Sequence, residues 1–250
     1  MLHCGCAFVG SKPIRGGIPL AFPQFADQGP LRLHGFVRES LWSIVDERCA
    51  TDEVVLRLRW EDGGYAFTLV YSIRLSESSL GLSIAVMNES SRAMHFTNCF
   101  HPYFRVEDSS SVQIRGLGGR VYVDKEDGRR TKVQAEGPVD IGSESVATEN
   151  DLYFIDRIYA NCDANYLELV ERPSSGEEGK FLLGIFKSDS CADWVLFNPW
   201  KEGKRGDKGP DFDDDGYIHM ICIEAANAIV AKTVAAGESI ILSQNITTCK

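Results

Sequence analysis

The sequence predicts an all-β protein. Apolar and polar residues alternate in "EVVLRLRW" (residues 53–60), in "YAFTLVYSIRL" (65–75) and in "LGLSIAVMN" (80–88). Alternation with a period of two is typical of half-buried strands. A helical period is nowhere sustained over several turns, which argues against a parallel α/β fold and the dinucleotide site that such folds carry. We therefore expect a sandwich or barrel of antiparallel strands.

The first three strands are expected to form a meander. They are joined by the short polar links "EDGG" and "SESS", and links this short connect only antiparallel neighbours. The apolar face of the second strand consists of Phe67, Leu69, Tyr71, Ile73 and Leu75. Further strands are predicted in "SVQIRGL", "YLELV", "KFLLGIF", "DWVLFN", "YIHMICIE" and "ESIILSQNI", which are separated by turn residues. Because the composition shows no boundary, residues 1–250 are expected to form a single domain.

Charge and cysteine content argue against several functional classes. The net charge of −10 disfavours a nucleic-acid-binding surface, which would need clustered Lys and Arg. No run of about 20 apolar residues is present for a membrane span, and the opening "MLHCGCAFVG" lacks the regions of a signal peptide. The eight cysteines are scattered without paired CxxC motifs, so we expect no structural zinc and mostly buried, reduced thiols. A cytoplasmic location is the simplest expectation.

Two arginines near the start could contact an anion. Arg15 lies in "IRGGIPLAFPQF" and Arg38 lies in "LHGFVRESLW". The paired glycines and nearby prolines of the first segment predict a backbone that leaves extended geometry, as loops beside binding sites do. A guanidinium group suits phosphate or carboxylate, and an acidic protein that binds an anion needs such a local concentration of positive charge. For either arginine alone, a surface salt bridge is the simpler interpretation.

Two titratable residues lie in predicted strands. His101 stands in "NCFHPYFRV", and Glu224 ends the alternating run "YIHMICIE". A lone histidine among apolar residues is more often packed in the core, and a carboxylate at a strand end more often forms a salt bridge. Cys222 and Met220 share the face of Glu224, so an apolar environment is expected to raise the pKa of that carboxyl. Local evidence leaves both residues between a structural and a catalytic role.

The order of several motifs resembles that of a known family. "RGGIPLAFPQF", "HGFVR", "FHPYFRV", "DRIY", "NPW", "CIEAA" and "AAGES" occur in this order between about Ser11 and Ile246. Each motif is weak by itself, but the ordered set resembles the glucose-6-phosphate 1-epimerases. These hexose-6-phosphate mutarotases are related to aldose 1-epimerase and include proteins described as apospory-associated protein C-like. The resemblance implies a galactose mutarotase-like antiparallel β-supersandwich, which agrees with the alternation described above.

The resemblance also implies an activity. Enzymes of this family interconvert the α and β anomers of a hexose 6-phosphate through the open-chain aldehyde. One proton reaches the ring oxygen and another leaves the anomeric hydroxyl, so one acid and one base suffice, without a metal or an organic cofactor. By resemblance, His101 is the acid and Glu224 is the base. The implied partner is a small hexose 6-phosphate, with no nucleic acid and no membrane, and we expect a monomer.

Further residues are assigned to substrate binding by resemblance. Arg15 and Arg38 match the arginines that contact the sugar phosphate, and Asp156 matches an aspartate that accepts hydrogen bonds from sugar hydroxyls. For Asp156, a turn aspartate paired with Arg157 is the structural alternative. His34 could orient the ligand, although a buried structural role is equally open. The candidate stacking platforms, which could also simply fill the core, are Phe36, Tyr103, Phe104 and Trp200.

Two departures from the family pattern leave other functions open. Leu33 occupies a position where many members carry a glutamine that contacts substrate, so one polar sugar contact is expected to be lost or replaced. Only fourteen residues precede Arg15, fewer than is usual in the family, and missing opening strands would leave a sheet edge uncovered. The alternatives are an aldose 1-epimerase acting on unphosphorylated sugars, a non-catalytic phosphosugar-binding or carbohydrate-binding module, and an interaction protein with an unpaired edge.

Overall fold

The computed structural model describes residues 13–141, 155–172, 179–199 and 215–248. These ranges contain β-strands and short 3-10 turns, without an α-helix. The strands are β1 (Leu20–Ala21), β2 (Ser43–Ile44), β3 (Glu53–Asp62), β4 (Tyr65–Leu75), β5 (Ser79–Asn88), β6 (Met94–Phe100), β7 (Tyr103–Arg105), β8 (Val112–Arg115), β9 (Val121–Asp124), β10 (Arg130–Val133), β11 (Val139–Asp140), β12 (Ile155–Tyr159), β13 (Tyr166–Glu171), β14 (Phe181–Lys187), β15 (Asp193–Asn198), β16 (Met220–Val234) and β17 (Ser239–Thr247). The 3-10 turns span Val37–Glu39, Asp46–Arg48, Ser109–Ser111 and Gly216–His219.

The strands form two antiparallel sheets with the core between them. The first sheet has the order β1-β6-β16-β15-β12-β9-β10, with β7 also paired to β16. The second has the order β11-β8-β13-β14-β17-β5-β4-β3-β2. Apolar side chains of both sheets meet in one buried cluster, and its members include Phe100, Trp194, Ile223, Leu69, Ile84 and Leu242. Removing this apolar surface from water is the main stabilising contribution to such a fold, and the predicted antiparallel sandwich is confirmed.

The predicted meander is also confirmed, because β3, β4 and β5 are consecutive neighbours in the second sheet. Phe67, Leu69 and Tyr71 are buried as expected. Leu75 is 64% exposed, because it is the last residue of β4, at the link to β5. The segment "YIHMICIE" begins as a 3-10 turn and becomes a strand only at Met220.

The pairing of β12, β15 and β16 places two carboxylates on the outer face of the first sheet. Ile223 packs in the core, so its neighbour Glu224 points to the opposite face. On β15, Val195 lies opposite Glu224 and Phe197 lies opposite Asp156. Val195 and Phe197 are two positions apart, and therefore Glu224 and Asp156 share one face.

The cysteines of the described ranges are free thiols. Cys99, Cys162, Cys191 and Cys222 are buried, as expected, and Cys49 is half-buried. Within these ranges, no helix is long and apolar enough to span a membrane.

Candidate active site

One cavity collects the residues predicted for the site. Its volume is about 570 Å³, which is in the usual range for small-molecule pockets. Its wall includes all the predicted site residues, namely Arg15, His34, Arg38, His101, Asp156 and Glu224. These residues come from distant parts of the sequence, and the fold brings them together at the outer face of the first sheet.

Arg15 lies in a loop that is hydrogen-bonded to the backbone beside His101 and lines the cavity. The strand pattern is interrupted between β6 and β7, at His101 and Pro102. The backbone N–H of His101 donates to the Pro19 carbonyl at 3.0 Å, and that of Tyr103 donates to the Gly17 carbonyl at 2.9 Å. Gly16 and Gly17 have φ values of 113° and 65°, which side chains rarely allow. The two glycines thus let the segment after Arg15 follow the backbone beside His101.

His34 lies in a strained turn that faces His101. Its φ is 63°, and its ring is 5.5 Å from the His101 ring in an edge-to-face arrangement. The backbone N–H of Ala26 donates to His34 Nδ1 at 3.3 Å. Burial, together with the positive charge of Arg38, lowers the pKa of His34 to about 3. The ring is therefore neutral at physiological pH, with its other nitrogen a donor.

Glu224 is a buried carboxyl with two different neighbours. The side chain is 1% exposed, and its Oε1 lies 3.5 Å from His101 Nε2. Its Oε2 accepts a hydrogen bond from the Cys99 thiol at 2.7 Å. Burial raises the pKa of Glu224 to about 8, the direction that the alternation predicted. Glu224 can therefore hold or release a proton near neutral pH.

The pKa of His101 is shifted downward, opposite to the shift of Glu224. Burial, followed by the neighbouring His34, lowers the pKa of His101 well below its usual value, and Arg38 and Arg15 act in the same sense. The ring stacks on Tyr103 at 4.9 Å between centroids. Its Nδ1 is buried and has no hydrogen-bond partner among the described residues. A titratable pair whose surroundings push the two pKa values in opposite directions is suited to exchanging one proton.

Arg38 lines the same cavity and is partly buried. One of its terminal nitrogens, Nη2, donates to the Leu33 carbonyl at 2.9 Å. Its Nε is buried, has no hydrogen-bond partner in the described ranges and lies 4.0 Å from Glu39 Oε1. Burial lowers the pKa of Arg38, because the charged guanidinium group is partly removed from water. An anion bound in the cavity would offset this cost of desolvation. Leu33 is 54% exposed and lines the cavity, and it contributes its backbone carbonyl to Arg38.

Asp156 pairs with Lys125, a residue that sequence reasoning missed. The Lys125 ammonium lies 2.5 Å from Asp156 Oδ2, and both side chains line the cavity. Arg157, the alternative partner considered for Asp156, donates instead to Gln134 at 3.1 Å. Lys125 ends the segment "YVDK" directly after β9, and nothing in that segment marks it as a site residue.

The proposed aromatic platforms divide between the cavity and the core. Tyr103 and Phe197 line the cavity, and Phe197 was not singled out from the sequence. Phe36 and Phe104 are 9% and 6% exposed and belong to the core cluster, so the expectation that they could stack on a sugar is wrong. Alternation along β7 turns Phe104 to the side opposite Tyr103, whereas Phe36 lies outside the strands, directly before a 3-10 turn, and packs in the same core cluster. Trp200 lies outside the described residues.

One group in the described ranges could contact a metal ion. His101, Cys222 and Glu224 offer ligand atoms that lie within 4.8 Å of one another. Around a single tetrahedral zinc ion, neighbouring ligand atoms would lie about 3.5 Å apart, which is closer than the 4.8 Å that bounds this group. Proton transfer at a hemiacetal is within reach of these side chains themselves.

The stability of the protein is expected to peak near pH 6.5. Below that pH, the unfolded chain binds protons at His34 and His101 that the folded protein does not, so the free energy of unfolding falls as pH falls. Between pH 4.5 and about 8, the folded protein holds a proton at Glu224 that the unfolded chain lacks. The proton held at Glu224 therefore lowers the free energy of unfolding as pH rises, by about 1 kcal/mol per pH unit. Below pH 6.5 the effect of the two histidines on the free energy of unfolding is larger than the opposite effect of Glu224, so stability falls as pH falls.

Urea unfolding across this pH range measures the effect. The Glu224→Gln variant is the matched control, because it should keep the loss at low pH and lose the decline above pH 6.5. A decline above pH 6.5 that persists unchanged in this variant would assign it to another group.

Comparison with known proteins places this cavity in a family. The model of the aldose 1-epimerase family matches residues 3–247. A protein of Cenchrus ciliaris, provisionally named a glucose-6-phosphate 1-epimerase, is 28% identical over 246 residues, which cover 92% of this chain and 69% of that protein. A protein of Escherichia coli K12 with the same provisional name is 27% identical over 259 residues, covering 97% of this chain and 77% of that protein.

Solved structures show the same fold. A protein from Salmonella typhimurium, provisionally named a mutarotase, is similar with a TM-score of 0.77 and 20% identity, over 99% of this chain and 78% of that one. A galactose mutarotase related enzyme from Lactobacillus acidophilus is similar with a TM-score of 0.67 and 15% identity, over 93% and 83% of the two chains. The predicted galactose mutarotase-like sandwich is confirmed, and with the family model matching nearly its whole length the chain belongs to the aldose 1-epimerase family.

Proposed function

We propose that this epimerase interconverts the α and β anomers of a hexose 6-phosphate, with glucose 6-phosphate as the first substrate to test. The observation that carries the proposal is the geometry of one cavity. A buried carboxyl and an imidazole lie 3.5 Å apart there, and two arginines line the same wall. The names of the two relatives from Cenchrus ciliaris and Escherichia coli agree with this substrate class.

The spacing of His101 and Glu224 suits the chemistry of a hemiacetal. The ring oxygen and the anomeric hydroxyl are bonded to the same carbon, so an acid and a base that serve both must lie a few ångströms apart. In ring opening, Glu224 takes the proton of the anomeric hydroxyl and His101 donates a proton to the ring oxygen. The bond between the anomeric carbon and the ring oxygen breaks, and a carbonyl forms. Rotation about the adjacent carbon–carbon bond followed by the reverse transfers gives the other anomer.

The substrate itself supports the required protonation states. In the protein by itself, burial favours a protonated Glu224 and a neutral His101. The reactive pair, a carboxylate and an imidazolium, holds the same number of protons. The positive charges of Arg15 and Arg38 disfavour the imidazolium form of His101. A phosphate dianion bound to these arginines would offset their charge and favour the reactive form.

Asp156 and Arg38 contribute to binding in this proposal. Asp156 is held by Lys125 at the cavity wall, where its carboxylate accepts hydrogen bonds from sugar hydroxyls. Arg38 offers its guanidinium group to the phosphate from the cavity wall, and hydrogen bonds between charged groups are the stronger kind. Arg15 supplies a second guanidinium group at the cavity wall. His34, with its neutral ring facing His101, supports the position of that ring.

Anomer exchange tests the proposal directly. The protein should accelerate exchange in glucose 6-phosphate, measured by magnetisation transfer between the anomeric protons and corrected for the spontaneous rate. Arg38→Ala should lower kcat/KM for glucose 6-phosphate by about 10- to 100-fold, because one charge-assisted hydrogen bond is lost. The rate on glucose should not change.

Arg32→Ala is the matched control for Arg38. Arg32 lies on the same segment and pairs with Glu39 at 2.5 Å, but its side chain is 55% exposed and does not line the cavity. Equal rates on glucose and glucose 6-phosphate, with equal losses in Arg38→Ala, would favour an epimerase of free sugars. Binding of glucose 6-phosphate without exchange would favour a non-catalytic module.

A further inference from the structure

The Cys99 thiol contacts one carboxylate oxygen of the proposed base, and His101 approaches the other. Cys99 is the penultimate residue of β6 and is 1% exposed. It pairs across the strands with Ala226, two positions beyond Glu224 on β16. Diagonal neighbours on antiparallel strands share a face and lie within contact distance. Cys99 Sγ accordingly lies 2.7 Å from Glu224 Oε2.

We propose that Cys99 is a positioning residue for Glu224, which holds the carboxylate with Oε1 facing the cavity by donating its thiol proton to Oε2. This inference rests on the proposed function of Glu224 as a base. The two carboxylate oxygens have separate surroundings, since Oε1 lies 3.5 Å from His101 Nε2 and Oε2 is occupied by the thiol. Without a donor at Oε2, the carboxylate would be free to rotate and its buried oxygen would be unpaired.

A thiol is a suitable donor for a group that must accept and return a proton in each cycle. A cationic partner would hold Glu224 ionised and make it a poor base, whereas an apolar partner would hold it protonated. The thiol is a weak donor, so it supports the carboxylate without fixing its charge. Cys99 Sγ also lies 3.3 Å from the Phe100 carbonyl. The thiol can therefore donate to that carbonyl when Glu224 is protonated and to Oε2 when Glu224 is ionised.

Other titratable groups also act on Glu224. The groups that face it or act on it through charge are His101, Tyr103, Lys125, Asp156 and Cys222. All of them are retained when Cys99 alone is replaced. A difference between the wild-type protein and a Cys99 variant in the titration of Glu224 therefore reports on the thiol.

The pH profile of anomer exchange is the main test. Cys99→Ala should move the acid-side limb of kcat to higher pH by about one unit, because a hydrogen bond to the charged form is lost. At pH values below that limb, kcat should fall by about 10-fold with KM unchanged. The rate should recover on the plateau above the limb, where Glu224 is ionised and His101 still carries the proton that it donates. Cys99→Ser keeps a donor at the same position and should restore the wild-type profile or move the limb to lower pH.

Cys191→Ala is the matched control, because Cys191 is a fully buried thiol outside the cavity wall. Its profile should equal that of the wild-type protein. A loss of rate in Cys99→Ala that is the same at every pH and is not reversed by serine would show that Cys99 only fills space. An unchanged profile in Cys99→Ala would overturn the inference as well.

A second measurement does not depend on turnover. The carbonyl band of protonated Glu224 in the infrared difference spectrum, assigned by its loss in Glu224→Gln, titrates with the pKa of that group. The midpoint should be higher in Cys99→Ala than in the wild-type protein and should return in Cys99→Ser. If no hexose 6-phosphate is epimerised, the proposed function fails, while the infrared midpoint still decides whether Cys99 acts on Glu224.

Discussion

Replacing Glu224 by Gln is expected to lower kcat for anomer exchange in glucose 6-phosphate by about 100- to 10,000-fold, with little change in KM. Glutamine has nearly the same shape, so packing against Cys99 and His101 is preserved. It cannot take the proton of the anomeric hydroxyl, and that transfer is needed only as the ring opens. Magnetisation transfer between the two anomers, corrected for spontaneous mutarotation, measures the loss.

A second variant tests whether the acid and the base act together. His101→Asn should also lower kcat, and the double variant with Glu224→Gln should be only slightly slower than either single variant, because both protons move in one reaction. Glu168→Gln is the control: Glu168 is a half-buried carboxyl on β13, in the other sheet, and lies 3.8 Å from Arg115. Wild-type exchange in Glu224→Gln, or fully additive losses, would contradict the assignment.

Replacing Gly35 by Ala is expected to lower the free energy of unfolding by more than about 3 kcal/mol. Gly35 has a φ of 70°, and a Cβ atom built there would lie 2.2 Å from the Phe22 carbonyl oxygen. That oxygen belongs to the backbone and accepts the N–H groups of Phe36 and Val37, so it cannot move aside easily. The turn that carries His34 would have to rebuild, and we expect anomer exchange to be lost with it.

Gly64→Ala separates the clash from the backbone strain. Gly64 has a φ of 86°, but a Cβ atom there would meet nothing within 4 Å. This variant should therefore show only the cost of the left-handed conformation, about 1–2 kcal/mol. Urea unfolding of both variants gives the comparison, and equal losses would mean that the close approach of Gly35 to Phe22 contributes nothing.

Much of the fold and of the candidate site was predictable because both depend on local patterns. Alternation gave the strands and showed that Cys222 shares the face of Glu224, and the structure agrees on both points. The predicted site residues all line one cavity, although only a resemblance to a family linked them beforehand. The positions of the aromatic residues were harder to predict. Phe36 and Tyr103 are both aromatic, but Phe36 lies in the core and Tyr103 lines the cavity.

Contacts between strands could not be read from the sequence. The link between Cys99 and Glu224 depends on β6 pairing with β16 in one register, and the ion pair of Lys125 with Asp156 depends on β9 lying beside β12.

The sequence by itself determined the class of fold, the inward and outward faces of the long strands, and the departure from extended geometry at the paired glycines after Arg15. The tertiary structure alone decided that His101 and Glu224 meet, that the Cys99 thiol donates to one oxygen of Glu224, and that Lys125 pairs with Asp156. The physical reason is the range of the interactions. A strand's period is set by its own backbone geometry, whereas the order and register of strands are set by packing among residues far apart in the chain.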